Sequence, residues 1–275
     1  MKAKNCLITG SSRGIGFYTA LGLAKKGAHV IIVSHNRQHC EGAVSRIIET
    51  AGEGSARFYV ADLSSQKETR QFAEDVKKDY DHLDVLINNV GGWFRKYQES
   101  EDGIELTFAL NHLSYFLLTG LLLDLLQNSL PARIINVSSD AHRSIDRIQF
   151  DDLAFKERYR AFPAYAQSKL ANIMFTYELS KRLKGSDITV NALHPGSVAS
   201  KLYRNFGILT PIINFFLKIF AKTSEEGAQT SIYLASAPEV ADVTGKYFVD
   251  KKQLPSSKAS YNKSAWQRVW NISEE

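Results

Sequence analysis

Apolar residues along this chain gather into short runs separated by longer stretches in which apolar and polar positions mix. The runs are Asn5 to Thr9, His29 to Ser34, Ala56 to Ala61, Val85 to Asn88, Arg133 to Ser138, Thr189 to His194 and Gly245 to Val249. Each has the length of a strand. Cores such as Val30 to Val33 and Ile134 to Val137 lack polar alternation, the mark of strands buried on both faces. Strands alternating with helix-length segments predict an α/β fold: a doubly wound parallel sheet of about seven strands with helices on both faces. With 275 residues and 44% apolar content, one domain accounts for the whole length, 1–275.

Three segments depart from that rhythm. The stretch 140–164 is longer than strand-to-helix connections usually are, which marks a loop that shapes a substrate site. Phe206 to Ala221 is rich in Phe, Ile and Leu but is interrupted by Pro211 and Lys218, so it is too short and broken to span a bilayer. Phe206, Ile208, Leu209, Ile212, Ile213, Phe215 and Phe216 would make residues 200–223 an apolar substrate lid. Packing of that run against the core or another subunit is the competing reading. Lys201, Arg204, Lys218 and Lys222 flank it and also admit peripheral contact with an anionic membrane. The polar tail, 250–275, carries Trp266 and Trp270 at helical spacing and is expected to dock on its own subunit or a neighbour.

The net charge of +5 is spread among 29 acidic residues without a long basic run, so solvated surface rather than nucleic-acid binding explains it. Cys6 and Cys40 show neither disulfide nor metal spacing, which predicts a reducing compartment. His35 and His39 lie four apart with no further ligand beside them, so no metal site is predicted. The N-terminal MKAKNCLITG passes straight into the first strand, which predicts a cytoplasmic chain without signal peptide or anchor.

Candidate chemistry sits at the strand ends. Thr9-Gly10-Ser11-Ser12-Arg13-Gly14-Ile15-Gly16 follows the first strand and opens the first helix. Glycines there let backbone approach a pyrophosphate, whose charge the helix N-terminal amides favour. Tyr165 and Lys169 lie four apart, so on a helix they share a face and the ammonium would favour a deprotonated phenol. Either motif alone is weak. In chain order, the glycine turn, Asp62-Leu63, Asn88-Asn89-Val90-Gly91, Ser138-Ser139, Tyr165 with Lys169, and Pro195-Gly196 together resemble the short-chain dehydrogenase/reductase family, from about residue 4 to about 250. Asn111-His112-Leu113, Ala141-His142, Leu170-Ala171-Asn172, His194-Pro195-Gly196 and Glu226-Gly227-Ala228-Gln229 look like its retinol dehydrogenase and related dehydrogenase/reductase branch.

That resemblance implies a Rossmann-type fold and a nicotinamide dinucleotide. Its binding residues would be Gly10, Ser12, Arg13, Gly14, Ile15 and Gly16 in the turn, and Ser34, His35, Asn36 and Arg37 after the second strand. Asp62 and Leu63 would meet the adenine, with Asn89 and Gly91 beside the cofactor. Tyr165 and Lys169 would meet the ribose and nicotinamide, and Pro195, Gly196, Val198 and Ser200 would close over the nicotinamide. An acid at the end of the second strand would select NAD; here there is none, and Arg13 with Arg37 supplies positive charge, so NADP(H) is expected over NAD(H).

The resemblance also implies four catalytic residues. Tyr165 is the acid/base, assisted by Lys169. Ser139 bonds the carbonyl oxygen, a task that the neighbouring Ser138 could also serve. Asn111, in a helix from Leu106 to Leu126, holds a water linking Lys169 to solvent. The implied function is an NADP(H)-dependent alcohol dehydrogenase or carbonyl reductase acting on an apolar aldehyde, ketone or alcohol, retinoid-like or long-chain. An NADP(H)-binding regulatory or scaffold protein on the same fold is the alternative. A homodimer or homotetramer, paired through the helices bearing Asn111 and Tyr165, is the family default.

Overall fold

The computed structural model describes residues 1–129, 131–196 and 222–275. Val198, Ser200 and the expected lid up to residue 221 lie outside the described residues. Among the described residues one sheet holds β1 (Asn5–Thr9), β2 (His29–Ser34), β3 (Ala56–Val60), β4 (Val85–Asn88), β5 (Ala132–Val137), β6 (Ile188–His194), β7 (Lys246–Val249) and β8 (Lys252–Leu254). Their order is β3-β2-β1-β4-β5-β6-β7-β8. The first seven strands are parallel, and β8 returns antiparallel along β7. The expected sheet of about seven parallel strands is present, and β8 adds an antiparallel edge to it. Asp250 and Lys251 reverse the chain with φ of 51° and 65°, the left-handed geometry of a two-residue hairpin turn. Because β8 is exposed throughout, no apolar run announces it.

Among the described residues the helices are α1 (Gly14–Ala24), α2 (Arg37–Ala51), α3 (Gln66–Asp79), α4 (Leu106–Phe108), α5 (Ser114–Leu121), α6 (Leu123–Gln127), α7 (Ala161–Arg182), α8 (Ser224–Ser236) and α9 (Lys263–Glu274). Successive strand residues serve opposite layers. Ile8 and Ile32 pack with Phe17 and Leu23 of α1 and Ile232 of α8. Their neighbours Leu7 and Ile31 pack with Val76 of α3, Leu118 of α5 and Leu179 of α7. The sheet is therefore closed on both faces, which leaves its strand ends for function. Chain order reverses between β1 and β4, and that switch opens a crevice at the C-terminal ends of the strands.

The stretch expected as one helix from Leu106 to Leu126 is broken. α4 runs into a π-helical turn at Ala109–Leu113 before α5, and the chain breaks again at Leu122 before α6. Side chains lay claim to the carbonyls at the π turn: Ser114 Oγ donates to Leu110 O at 2.6 Å, and Asn172 Nδ2 donates to Asn111 O at 2.8 Å. Such turns recur at functional sites, and Asn111 lies at the centre of this one.

The tail docks on its own subunit. Trp270 of α9 meets Phe116 edge-on at 4.9 Å between ring centroids and lies beneath the Arg182 guanidinium at 3.9 Å. Trp266 packs on Tyr177 at 5.4 Å. The helices expected to pair subunits thus carry an intramolecular cover. No helix among the described residues is long and apolar enough to cross a membrane.

Candidate active site

A cleft of about 1100 Å³ runs from Gly10 in the first turn to Gly196 after β6. At its head the N-terminus of α1 has no side-chain cap and no acid in its first turn, so its amide end keeps its partial positive charge. Gly16 has no room for a side chain, since a Cβ would stand 2.5 Å from Gly10 O and 2.6 Å from Asn89 Nδ2. Asn89 binds the turn to β4, donating from Nδ2 to Thr9 O at 2.8 Å, while Thr9 Oγ1 accepts from the Asn89 and Val90 amides at 2.8 and 2.9 Å. An uncapped helix start behind a turn this tight fits the pyrophosphate of a dinucleotide.

Beyond the turn, Ser12, Arg13 and Ile15 line the cleft together with Ser34 and His35. Ser12 Oγ donates to Ser34 Oγ at 3.0 Å, and Arg13 Nη2 lies 2.8 Å from His39 Nδ1. Asn36, Arg37 and Gly14 are not among the residues lining the cleft. Asn36 Oδ1 caps α2 by accepting the His39 amide at 2.9 Å, and Arg37 lies over the Phe58 ring at 5.7 Å and 3.9 Å from Glu41. Gly14 opens α1 with φ of 60°. Asp62 and Leu63 line the cleft, and Asp62 Oδ1 accepts from both the amide and hydroxyl of Ser64. Asn89, Gly91, Pro195 and Gly196 also line it.

At the other end Ser139, Tyr165 and Lys169 face the same cleft. The two adjacent serines separate by role. Ser138 is buried and donates to Lys169 O at 2.7 Å, joining β5 to α7, whereas Ser139 opens the following turn by accepting the Ala141 amide at 3.2 Å. Lys169 is only 4% exposed. Its Nζ donates to Val137 O at 3.1 Å and stands 5.8 Å from the centre of the Tyr165 ring. Burial pushes its pKa down to about 7. Asn111 is wholly buried behind this group: its Oδ1 accepts the Gly92 amide at 2.7 Å, and its Nδ2 donates to Gly92 O at 2.9 Å and Ser168 Oγ at 3.0 Å. Gly91 leaves the space between them, since a Cβ there would stand 3.2 Å from Asn111 Oδ1 and 3.4 Å from Lys169 Nζ.

The wall beside Tyr165 was not legible from the motifs. Trp93, Phe94, Phe162, Leu106 and Leu110 line it, with the Trp93 ring 6.3 Å from those of Tyr165 and Phe162. Tyr159, in the long connection before α7, donates to Phe94 O at 2.8 Å and so ties that connection to the wall. The available signal was the aromatic pair Trp93-Phe94 directly after the Asn-Asn-Val-Gly segment.

A doubly wound sheet whose crevice links a glycine turn to a serine, a tyrosine and a lysine is built for oxidoreductase work on a dinucleotide. The short chain dehydrogenase family model matches residues 4–207, and the chain belongs to that family. It is 41% identical to human retinol dehydrogenase 14, with all of this chain and 86% of that protein aligned. It is 43% identical to human retinol dehydrogenase 13, over 97% of this chain and 82% of that one. Among solved structures, the Pseudomonas aeruginosa RhlG/NADP active-site complex superposes with a TM-score of 0.75 at 30% identity, covering 90% of this chain and 94% of that one. These relatives place the chain in the retinol dehydrogenase branch of the family.

Proposed function

We propose that this protein is an NADP(H)-dependent alcohol dehydrogenase or carbonyl reductase for apolar substrates, retinoid-like or long-chain. The observation that carries the reading is the single cleft in which Ser139, Tyr165 and Lys169 stand at one end and the uncapped glycine turn at the other. The bound nicotinamide supplies or accepts the hydride. Ser139 Oγ donates to the substrate oxygen and fixes its position. The Tyr165 phenol gives the proton to that oxygen in reduction and takes it back in oxidation. Lys169, held by Val137 O, sets the electrostatics around the phenol and reaches the ribose, and Asn111 keeps Gly92 and Ser168 in register behind it. The aromatic wall excludes water and accepts an apolar chain.

The preference for NADP(H) rests on Arg13 at the cleft beside Ser34 and His35, with no acid at the end of β2. Arg13→Ala is expected to raise the KM for NADPH by about tenfold or more, the worth of a hydrogen bond to a charged group, with a smaller change for NADH. Equal losses with both cofactors would count against Arg13 as the phosphate partner. We further propose residence in a reducing compartment, supported by the free, buried thiols of Cys6 and Cys40. The function itself is tested by loss of reduced-nicotinamide absorbance against aldehydes and ketones from short aliphatic to retinal-like. Turnover rising with apolar length and favouring NADPH is the expected result; cofactor binding with no turnover on any carbonyl would overturn it.

A further inference from the structure

Two buried histidines stand between the catalytic residues and the C-terminal segment, and a hydrogen-bond donor beside one and an acceptor beside the other fix their tautomers. His142 is fully buried. The Ser257 amide donates to its Nε2 at 2.9 Å, so its proton sits on Nδ1 and points at Ser139 O, 2.7 Å away. His112 is also fully buried, in the π turn beside Asn111. Asn172 donates from Nδ2 to Asn111 O, which turns its Oδ1 toward His112 Nδ1 at 3.1 Å. An acceptor there requires a proton on Nδ1. Burial and the nearby Lys169 hold His112 neutral, its pKa down to about 4, so Nε2 is left as an acceptor facing Ser273 Oγ at 3.0 Å, a hydroxyl whose single proton is shared between this nitrogen and Val269 O at 2.7 Å.

Resting on the proposed oxidoreductase reading, we propose that His112 and His142 are positioning residues through which the C-terminal segment 255–275 sets Ser139 and Asn111. His142 passes the position of Ser257 to the Ser139 carbonyl. His112 passes the position of Ser273 in α9, through Asn172, to the Asn111 carbonyl. The segment is itself anchored: Arg143 Nη2 donates to Pro255 O at 2.6 Å, Tyr177 OH meets Ser256 Oγ at 2.7 Å, and Trp270 is held by Phe116 and Arg182. The tail is thus a strap that registers both walls of the reacting end.

Paired substitutions separate positioning from packing. At each histidine, Phe keeps the ring volume and removes the donor, whereas Asn loses volume but places an amide N–H where Nδ1–H stood. His112→Phe and His142→Phe are each expected to lower kcat on the order of 10²-fold, the effect of a small misplacement of reacting groups, with NADPH affinity unchanged. His112→Asn and His142→Asn are expected to recover kcat to within about tenfold of wild type despite lower thermal stability. A packing role alone predicts the opposite order, with Phe the better replacement in both activity and stability, and that order would overturn the proposal. Side-chain ¹⁵N spectra of the wild type give a readout independent of turnover. Two neutral imidazoles protonated on Nδ1 are expected, and an Nε2-protonated or charged ring at either position at neutral pH would overturn the proposal even if the enzyme reading stands. Absence of turnover by the wild type on every carbonyl, with both tautomers as expected, would remove the enzyme reading and the positioning role with it.

Discussion

Tyr165→Phe is expected to lower kcat by on the order of 10²- to 10⁴-fold, the range over which a positioned acid/base acts, while weakening NADPH binding by no more than about tenfold, the worth of one hydroxyl's hydrogen bond to the cofactor. The substitution removes one oxygen. The ring remains in place against Trp93, 6.3 Å away, so the aromatic wall and the substrate volume persist. What is lost is the proton donor at the substrate oxygen; a phenol titrates near ~10 when unperturbed and so is ordinarily a poor base at neutral pH. Stopped-flow single turnovers with NADPH and a long-chain aldehyde separate the chemical step from release. A variant that binds NADPH, loses the chemical step and keeps its thermal midpoint matches the expectation. Retention of more than about a tenth of the wild-type rate would mean that Ser139 or solvent handles the proton and that Tyr165 only lines the cleft.

How much of this site was legible in the sequence follows from how locally each part is determined. Strands buried on both faces write themselves as apolar runs, so β1, β2, β4, β5 and β6 emerge within one or two residues of their expected ends, and the half-exposed edge strand β3 emerges equally well from its apolar and aromatic residues. The glycine turn is equally local, because Gly16 is excluded from any other residue type by atoms only a few positions away and by Asn89. Features set by distant partners were hidden. The π turn at Asn111 depends on Asn172 of α7, sixty-one positions along, and a helical pattern read on its own predicts an unbroken helix. Arg37 matches a phosphate ligand by position, yet its exposed side chain lies over Phe58 on β3 and near Glu41 on the next turn of α2 and does not line the cleft. β8 escaped for a different reason: an exposed edge strand needs no apolar pattern. The aromatic wall and the two histidines share the first cause, since contacts across the fold decide their surroundings.

Lys169→Met is expected to make the cofactor-free protein more stable near neutral pH while lowering turnover on the order of 10²-fold. The reason is the burial of an ammonium. In the unfolded chain the lysine titrates at 10.5, and in the fold at about 7, so between those values the unfolded chain binds more protons and wild-type stability climbs with pH. Below about pH 7 both states are charged and the full cost of burial, about 4 to 5 kcal/mol, is present; above about 10.5 both are neutral and it is gone. Methionine has nearly the same length and no charge, so it removes this cost, but it also removes the Nζ donor to Val137 O and leaves that carbonyl with the longer Tyr115 hydroxyl contact at 3.4 Å. A lost buried hydrogen bond returns about 1–3 kcal/mol of the gain. The net expectation is a variant about 2 kcal/mol more stable than wild type at pH 6.5, a thermal shift of several degrees, with the difference passing through zero at about pH 8 to 9 and reversing by about pH 10, where the burial cost is nearly gone and the lost hydrogen bond remains. Thermal or urea unfolding of both proteins across that range checks it. A variant less stable than wild type at pH 6.5, or a difference that does not change with pH, would show that Lys169 is held charged by a compensating partner. Stability lost to a buried cation without a compensating anion, and recovered by the substitution that disables catalysis, is the expected signature of a residue placed for chemistry rather than for the fold.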